Sequence, residues 1–350
     1  MNFKKVSIII LIIFIFALPL QAAEALTLAE AIDIAKNENF NLKLAEINYQ
    51  KAKINQQALE LQNKYNYTET QKLEINKNYL SSEKNYQDSE ANVIKSIISQ
   101  YTGLWLKQKE IEAQRLTTKA EERLYNEMQA RFELAQISQL DLLDQSNNYK
   151  QANNSLENLQ DNYQLSLVEF KTDLNLGDEK IKINELAEPK LWTISEEEAI
   201  EKALKNSYSI KIAEIDYQLA KEQYNKNKID SAQAQQRTAA MDLKAAEITL
   251  AKTKKELINS VIKAYLTLTQ AEKNINLMKD NLKKSQTQYN QIKRQFELGS
   301  VTQTTVLQYE STLLDSQYQL KNAYLNYYLA KENLADLLNM EPGVTINVQE

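Results

Sequence analysis

Arg294-Gln-Phe-Glu-Leu-Gly-Ser-Val-Thr-Gln303 is the stretch at which the chain turns back on itself. A helical pattern free of Gly and Pro runs up to it from about Ser231, and a second runs away from it to about Asn339. Gly299 stands at the break, where a helix C-terminus favours a residue tolerant of positive φ. Ser300 and Thr302 follow as candidate N-caps of the returning helix. An earlier segment, Arg131-Phe-Glu-Leu-Ala-Gln-Ile-Ser138, repeats the pattern. Phe132-Glu133-Leu134 matches Phe296-Glu297-Leu298, and Ala135 stands where the later copy has Gly299. Two long helical hairpins with matching tips are therefore expected.

The rest of the chain extends this duplication. Leu26-Thr-Leu-Ala-Glu-Ala-Ile32 opens a helix, with Thr27 as N-cap and Glu30 three residues on as a capping box. The pattern breaks at Asn37-Glu-Asn39 and resumes from Leu42. Glu198-Ala199-Ile200 echoes Glu30-Ala31-Ile32 at an offset of 168, whereas the tips are related by an offset of 164. The halves thus differ in spacing by one helical turn. In the second half, Leu257, Val261, Ala264, Leu268, Ala271, Ile275, Met278, Leu282, Ser285, Tyr289, Ile292 and Phe296 alternate by four and three, the spacing of a left-handed coiled coil. Val93, Ile97, Leu104, Ile111, Tyr125, Met128 and Phe132 give a looser version in the first. Arms of ~60–65 residues reach ~90–100 Å, and return helices of ~40 residues reach ~60 Å. The opening helices near Leu28 and Ser195 are expected to stack end to end with the return helices and complete the partner strand of the coil. The fold class is all-α: tandem hairpin repeats over 26–177 and 193–350, joined by a linker at 178–192.

Composition agrees. The 350 residues include 4 Gly and 3 Pro, too few turn formers for anything but long helices. Hydrophobic residues make up 43%, enough for helix packing. A net charge of −5 and no basic patch speak against nucleic-acid binding. With no Cys and no His, disulfides, zinc sites and the common nucleophile–base pairs lose their members. There is no P-loop or Gly-rich phosphate cradle. No catalytic, cofactor or metal site is read, and a hydrolase or lyase is disfavoured. Met1 to Ala25 reads as a secretory signal: Lys4 and Lys5, an apolar run from Val6 to Leu18, and small residues for cleavage after Ala22 or Ala25. An uncleaved N-terminal anchor is the alternative. The expectation is an exported protein of the cell envelope.

The Leu26–Ile32 opening with its echo at Glu198–Ile200, the Phe-x-Leu-Gly-Ser-Val tip, and the order long helix, turn, shorter helix together resemble the TolC-like outer-membrane efflux family. The resemblance spans essentially the whole mature chain. It implies a homotrimer whose helices form a tapered twelve-helix tunnel across the periplasm, topped by a β-barrel in the outer membrane. It implies also that the hairpin tips meet a periplasmic adaptor (membrane fusion) protein serving an inner-membrane pump or ABC exporter. One departure is large. The family places a barrel-building β-hairpin between the opening helix and the long arm of each half. Here only Lys64 to Thr70 could form one short strand, and the second half passes from Lys221 through Asn225–Asp230 into Ala-rich helix without a strand.

The resemblance assigns Leu134, Ala135, Gln136, Leu298, Gly299 and Ser300 to adaptor docking. The residues alone are equally compatible with ordinary helix–helix turns. Past the tips, Asp141 matches a position that in the family often carries an acid facing the tunnel aperture. Asp144 lies one turn further, and Thr305 and Gln308 hold the corresponding places in the second half. A threefold acidic ring favouring cations is one reading, a solvated helix face the other. Two functions follow: a passive conduit in efflux or type I secretion, energised by its partner, or a barrel-less extracytoplasmic coiled-coil scaffold that docks pump partners without forming a pore.

Overall fold

The computed structural model describes residues 26–61, 67–177, 181–230 and 232–340; the leader read over 1–25 lies outside them. Among the described residues the chain forms eight α-helices: α1 (Leu28–Glu38), α2 (Phe40–Leu61), α3 (Glu69–Glu133), α4 (Gln139–Asp173), α5 (Glu196–Asn206), α6 (Tyr208–Asp230), α7 (Gln233–Glu297) and α8 (Gln303–Leu337). Their lengths repeat: 11, 22, 65 and 35 residues, then 11, 23, 65 and 35. No β-strand occurs among the described residues; there is one isolated parallel bridge between Leu26 and Ile183. The fold is all-α, as the turn-poor sequence requires.

Local chemistry sets each boundary. Thr27, Thr68 and Ser138 open α1, α3 and α4 with reciprocal capping boxes to Glu30, Gln71 and Asp141. Ser195 and Thr302 cap α5 and α8 through the backbone N–H of Glu198 and Thr305. Asn39 ends α1 and caps α2, its Oδ1 accepting from the N–H of Leu42; Ser207 does the same between α5 and α6 for Ile210. The C-termini repeat as well. Ala135, Asn175, Gly299 and Asn339 take φ of 58°, 52°, 72° and 46°. At each, the next residue's N–H reaches back to the carbonyl five residues earlier: Gln136 to Arg131, Leu176 to Lys171, Ser300 to Gln295, Met340 to Ala335. These are Schellman closures at four equivalent helix ends.

The helices pack as one layer. α3 packs on both α2 and α4, and α7 on both α6 and α8, so each long arm has two shorter partners along its length. That is the end-to-end completion expected of the opening and return helices. The halves join where α3 meets α8 and α6. Below the middle the order across the layer is α4, α3, α8, α7; above it, α2, α3, α6, α7. The main core lies at mid-length, where the short helices meet. It gathers Ala31 and Ile32, Ile94 to Leu106, Phe170, Ile183 and Leu186, Ala199, Val261 and Leu268, and Leu320 to Leu338. The expected heptad positions Val261, Leu268, Ile275 and Ser285 are buried, as are Ile97, Leu104 and Ile111 in the first arm.

An extended strap, residues 181–195, crosses this core. Leu26 N–H donates to the Lys182 carbonyl at 2.8 Å, and Asn184 N–H to the Leu26 carbonyl at 3.1 Å. The buried Tyr101 hydroxyl donates to the carbonyls of Leu26 (2.8 Å) and Asn184 (3.1 Å). The Tyr327 hydroxyl accepts from the Trp192 N–H at 2.7 Å, and Lys321 and Lys331 donate to the carbonyls of Leu186 and Lys190.

The short strand expected over Lys64 to Thr70 is corrected in part. Thr68 is the N-cap of α3, and Glu69 and Thr70 are already helical, because the Thr68–Gln71 capping box starts the helix there. Residues 64–66 lie outside the described residues. Seven residues, 62–68, separate α2 from α3, and two, 231–232, separate α6 from α7. A membrane-spanning hairpin needs two strands of ~9–11 residues each, more than either junction holds.

Candidate functional site: the hairpin tips

Both turns lie at one end of the layer. In the first, α3 closes at Glu133 and α4 opens at Gln139; in the second, α7 closes at Glu297 and α8 opens at Gln303. The Schellman closure turns each helix end outward and leaves Leu134 and Leu298 at the apex, 69% and 81% exposed. Phe132 and Phe296, two residues earlier, are each 38% exposed. Nothing lies within 4 Å of where a Cβ on Gly299 would stand, so backbone conformation rather than space selects glycine there. Ala135 adopts the same conformation with its methyl in place. All six residues expected to dock, Leu134, Ala135, Gln136, Leu298, Gly299 and Ser300, are exposed at these two apices.

The aperture candidates separate. Asp141 is not a free carboxylate. Its Oδ2 accepts from the Ser138 hydroxyl at 2.7 Å and the Ser138 N–H at 3.0 Å. The Ser138 hydroxyl, and then its backbone N–H, hold the Asp141 carboxyl below the usual carboxylate range. Thr305 occupies the same place in α8, with its hydroxyl 3.0 Å from that of Thr302. Asp144 and Gln308, one turn further, are exposed. The capping use of Asp141 was legible in the sequence as Ser-x-x-Asp at the start of a helical pattern, but the aperture reading passed over it. Among the described residues no group of three or more acidic side chains is placed to hold a metal ion.

Sequence reasoning also missed a tyrosine cluster above mid-length. Tyr49 stacks on Tyr86 at 5.6 Å, and the hydroxyls of Tyr49 and Tyr79 both donate to Glu83. Gln87 donates to the Tyr208 hydroxyl and ties α3 to α6. Burial raises the hydroxyl pKa values of Tyr79, Tyr86 and Tyr208, so all three stay protonated. No spacing in the sequence marks this cluster, because its members come from three helices.

The fold is a layer of tandem helical hairpins about 100 Å long, with paired apolar turns at one end. Residues 228–340 match the family model described as outer membrane efflux protein. The match covers the end of α6, the long arm α7 and the return helix α8 of the second repeat. Solved structures extend the likeness over the first repeat. A membrane protein from Pseudomonas aeruginosa superposes with a TM-score of 0.63 at 11% identity, covering 92% of each chain. The open-state MtrE outer membrane channel of Neisseria gonorrhoeae gives 0.63 at 12% identity, over 90% of this chain and 89% of that one. The CmeC outer membrane channel of Campylobacter jejuni gives 0.62 at 11% identity, over 89% and 85%. At such identities the superpositions speak for the fold. No curated protein matches the chain.

Proposed function

We propose that the chain is a passive conduit component of an efflux or secretion assembly: a homotrimer of helical hairpins whose tips dock a periplasmic adaptor bound to an inner-membrane pump or ABC exporter. The observation that carries this reading is the pair of exposed leucines, Leu134 and Leu298, held at matched apices by equivalent closures. Large apolar side chains at an exposed turn gain nothing in the monomer and are stabilised by a partner's surface. Asp144, with the capped Asp141 beside it, then lies near the mouth of the trimer and favours cations there; Thr305 and Gln308 are its uncharged counterparts. The test is Leu134→Glu and Leu298→Glu, singly and together. Both sites are exposed, so helicity and assembly should hold while adaptor cross-linking and export are lost. Wild-type export in the double variant would overturn the docking role.

The second reading, a scaffold without a pore of its own, is favoured by the seven- and two-residue junctions where the family inserts barrel strands. It shares the docking tips and differs in the opposite end.

A further inference from the structure

At mid-length the strap and the first turns of α1 enclose a cavity of about 690 Å³ against α3 and α8. Its floor is apolar, formed by the buried side chains of Leu28, Tyr101, Leu186 and Tyr328. Both floor hydroxyls are already used. Tyr101 bridges the Leu26 and Asn184 carbonyls, and Tyr328 donates to the Ala187 carbonyl at 3.4 Å. The floor therefore offers a ligand methyl groups and ring faces rather than hydrogen bonds. The rim is charged. Glu30 and Asp33, one turn apart on α1, line it and are exposed. Glu185 lines it from the strap and is paired with Lys321 at 2.7 Å. Glu30 and Asp33 make no ion pair among the described residues, and no lysine or arginine among those residues lines the cavity. The Thr27 N–H, and then its hydroxyl, hold the Glu30 carboxyl below the usual carboxylate range. The second repeat does not copy the floor: at the offset of 168, Glu196 stands where Leu28 does.

We propose that this cavity binds a small amphipathic organic cation, its apolar body on Leu28, Leu186, Tyr101 and Tyr328 and its ammonium group at the rim between Glu30 and Asp33. A concave, mostly apolar site with a few charged groups that fix orientation is how small-molecule sites are built, and this one is of the size they need. Two carboxylates without a cationic partner decide the sign of the ligand, and tyrosine faces favour a cation as well. An anion of the same shape would meet both carboxylates with no donor to offset them. Removal of the apolar body from water supplies the affinity, and the carboxylates supply the selectivity. Tyr101 lies 32 residues before the end of α3 (133 − 101), ~48 Å from the turn. The site is therefore separate from the hairpin tips and does not depend on their docking role.

Calorimetric titration of the full chain with 1-naphthylmethylammonium tests it, with 1-naphthylacetate as the anion of similar shape and circular dichroism confirming the helices of each variant. The cation should bind once per chain with a Kd of ~0.1–1 mM, ordinary for a ligand of about a dozen non-hydrogen atoms. The anion should bind at least tenfold more weakly. Asp33→Asn should weaken the cation at least threefold, and Asp33→Asn with Glu30→Gln at least tenfold. Glu30→Gln keeps the capping box of α1, as Gln71 does for Thr68 in α3, so the change removes charge without opening the helix. Ala29, exposed at the rim, locates the binding: Ala29→Trp places an indole over the cavity and should abolish it. Equal binding of cation and anion overturns the proposal, as does wild-type affinity in the double carboxylate variant. Wild-type affinity in a folded Ala29→Trp variant, or no saturable binding of the cation at millimolar concentration, overturns it too.

Discussion

Ala135 and Gly299 answer the same geometric demand with different side chains. Both hold positive φ at the second residue past a 65-residue helix, at 58° and 72°. The left-handed region costs an L-residue with a Cβ ~1–2 kcal/mol, part of which is offset by the greater chain entropy glycine loses on folding. Ala135→Gly should therefore stabilise the first hairpin by ~0.5–1 kcal/mol, and Gly299→Ala should destabilise the second by about as much. Denaturant midpoints of the two variants, moving in opposite directions, are the check. The tips differ in a second residue. Asp141 completes the cap of α4 with a charged acceptor; Thr305 completes that of α8 with a hydroxyl. The Asp141 carboxyl titrates below its usual value in the folded chain because Ser138 donates to its charged form. A depressed folded pKa means that the stabilisation is full above the unfolded carboxylate value, near 4, and is lost as pH falls through the folded one. Acidification below pH 4 should thus lower the amide-exchange protection factors in the first turn of α4 and leave those of α8 unchanged. Equal loss of protection at both turns would assign the effect to something other than this carboxylate.

The strap at 181–195 shows how a segment without regular structure is fixed. Its backbone groups are satisfied by side chains from distant helices: Tyr101 donates to two carbonyls, Tyr327 accepts from Trp192, and Lys321 donates to Leu186. Burial keeps the Tyr101 hydroxyl protonated and a donor. Tyr101→Phe removes a buried hydroxyl that bridges the Leu26 and Asn184 carbonyls, the first of which keeps the Asn184 N–H, at a cost of ~1 kcal/mol or somewhat more. Glu188→Gln instead weakens the pair with Lys279, whose side chains are 59% and 40% exposed, worth no more than ~1 kcal/mol. Thermal unfolding should rank the two variants in that order, with amide exchange at Leu26 and Asn184 rising first in Tyr101→Phe. The helices were legible in the sequence for physical reasons that are local. Thr27, Ser138 and Thr302 mark starts, Gly299 marks a stop, and the period from Leu257 to Phe296 marks the buried seam. Even the slip from 168 to 164 has a place, in a junction of seven residues in one half and two in the other. The strap had no such signature. Nothing in Ile181 to Ser195 indicates that Tyr101 and Tyr327 hold it, because those contacts exist only once α3 and α8 have packed. The hairpin tips were legible as turns with Leu at the apex, whereas the capping use of Asp141 was outweighed by the family's expectation of an aperture acid.

At the scale of the whole molecule, each 65-residue arm reaches ~97 Å, and the mid-length core leaves both ends of the layer open to partners. The tips at one end present Leu134 and Leu298; the other end is formed by the junctions of α2 with α3 and of α6 with α7. Among the described residues no helix is long and apolar enough to cross a membrane, which leaves a barrel as the other route. A barrel closed by three copies with four strands each would draw two strands from each junction, and strands of ~9–11 residues do not fit into seven residues or two. Melting helix to supply them would break the α2–α3 and α6–α7 pairings. At the first junction it would also reach the ion pair between Lys77 and Asp216 that ties α3 to α6. The helical body should therefore stop at a membrane surface or on a second protein rather than continue through the bilayer at those junctions. Purified protein added to planar bilayers should give no stable conductance, and infrared spectra in lipid should retain the helical signature without a strand band. Steady trimeric conductance, accompanied by strand content equal to four spanning strands per chain, would mean that both junctions refold in lipid at the expense of α2, α3, α6 and α7.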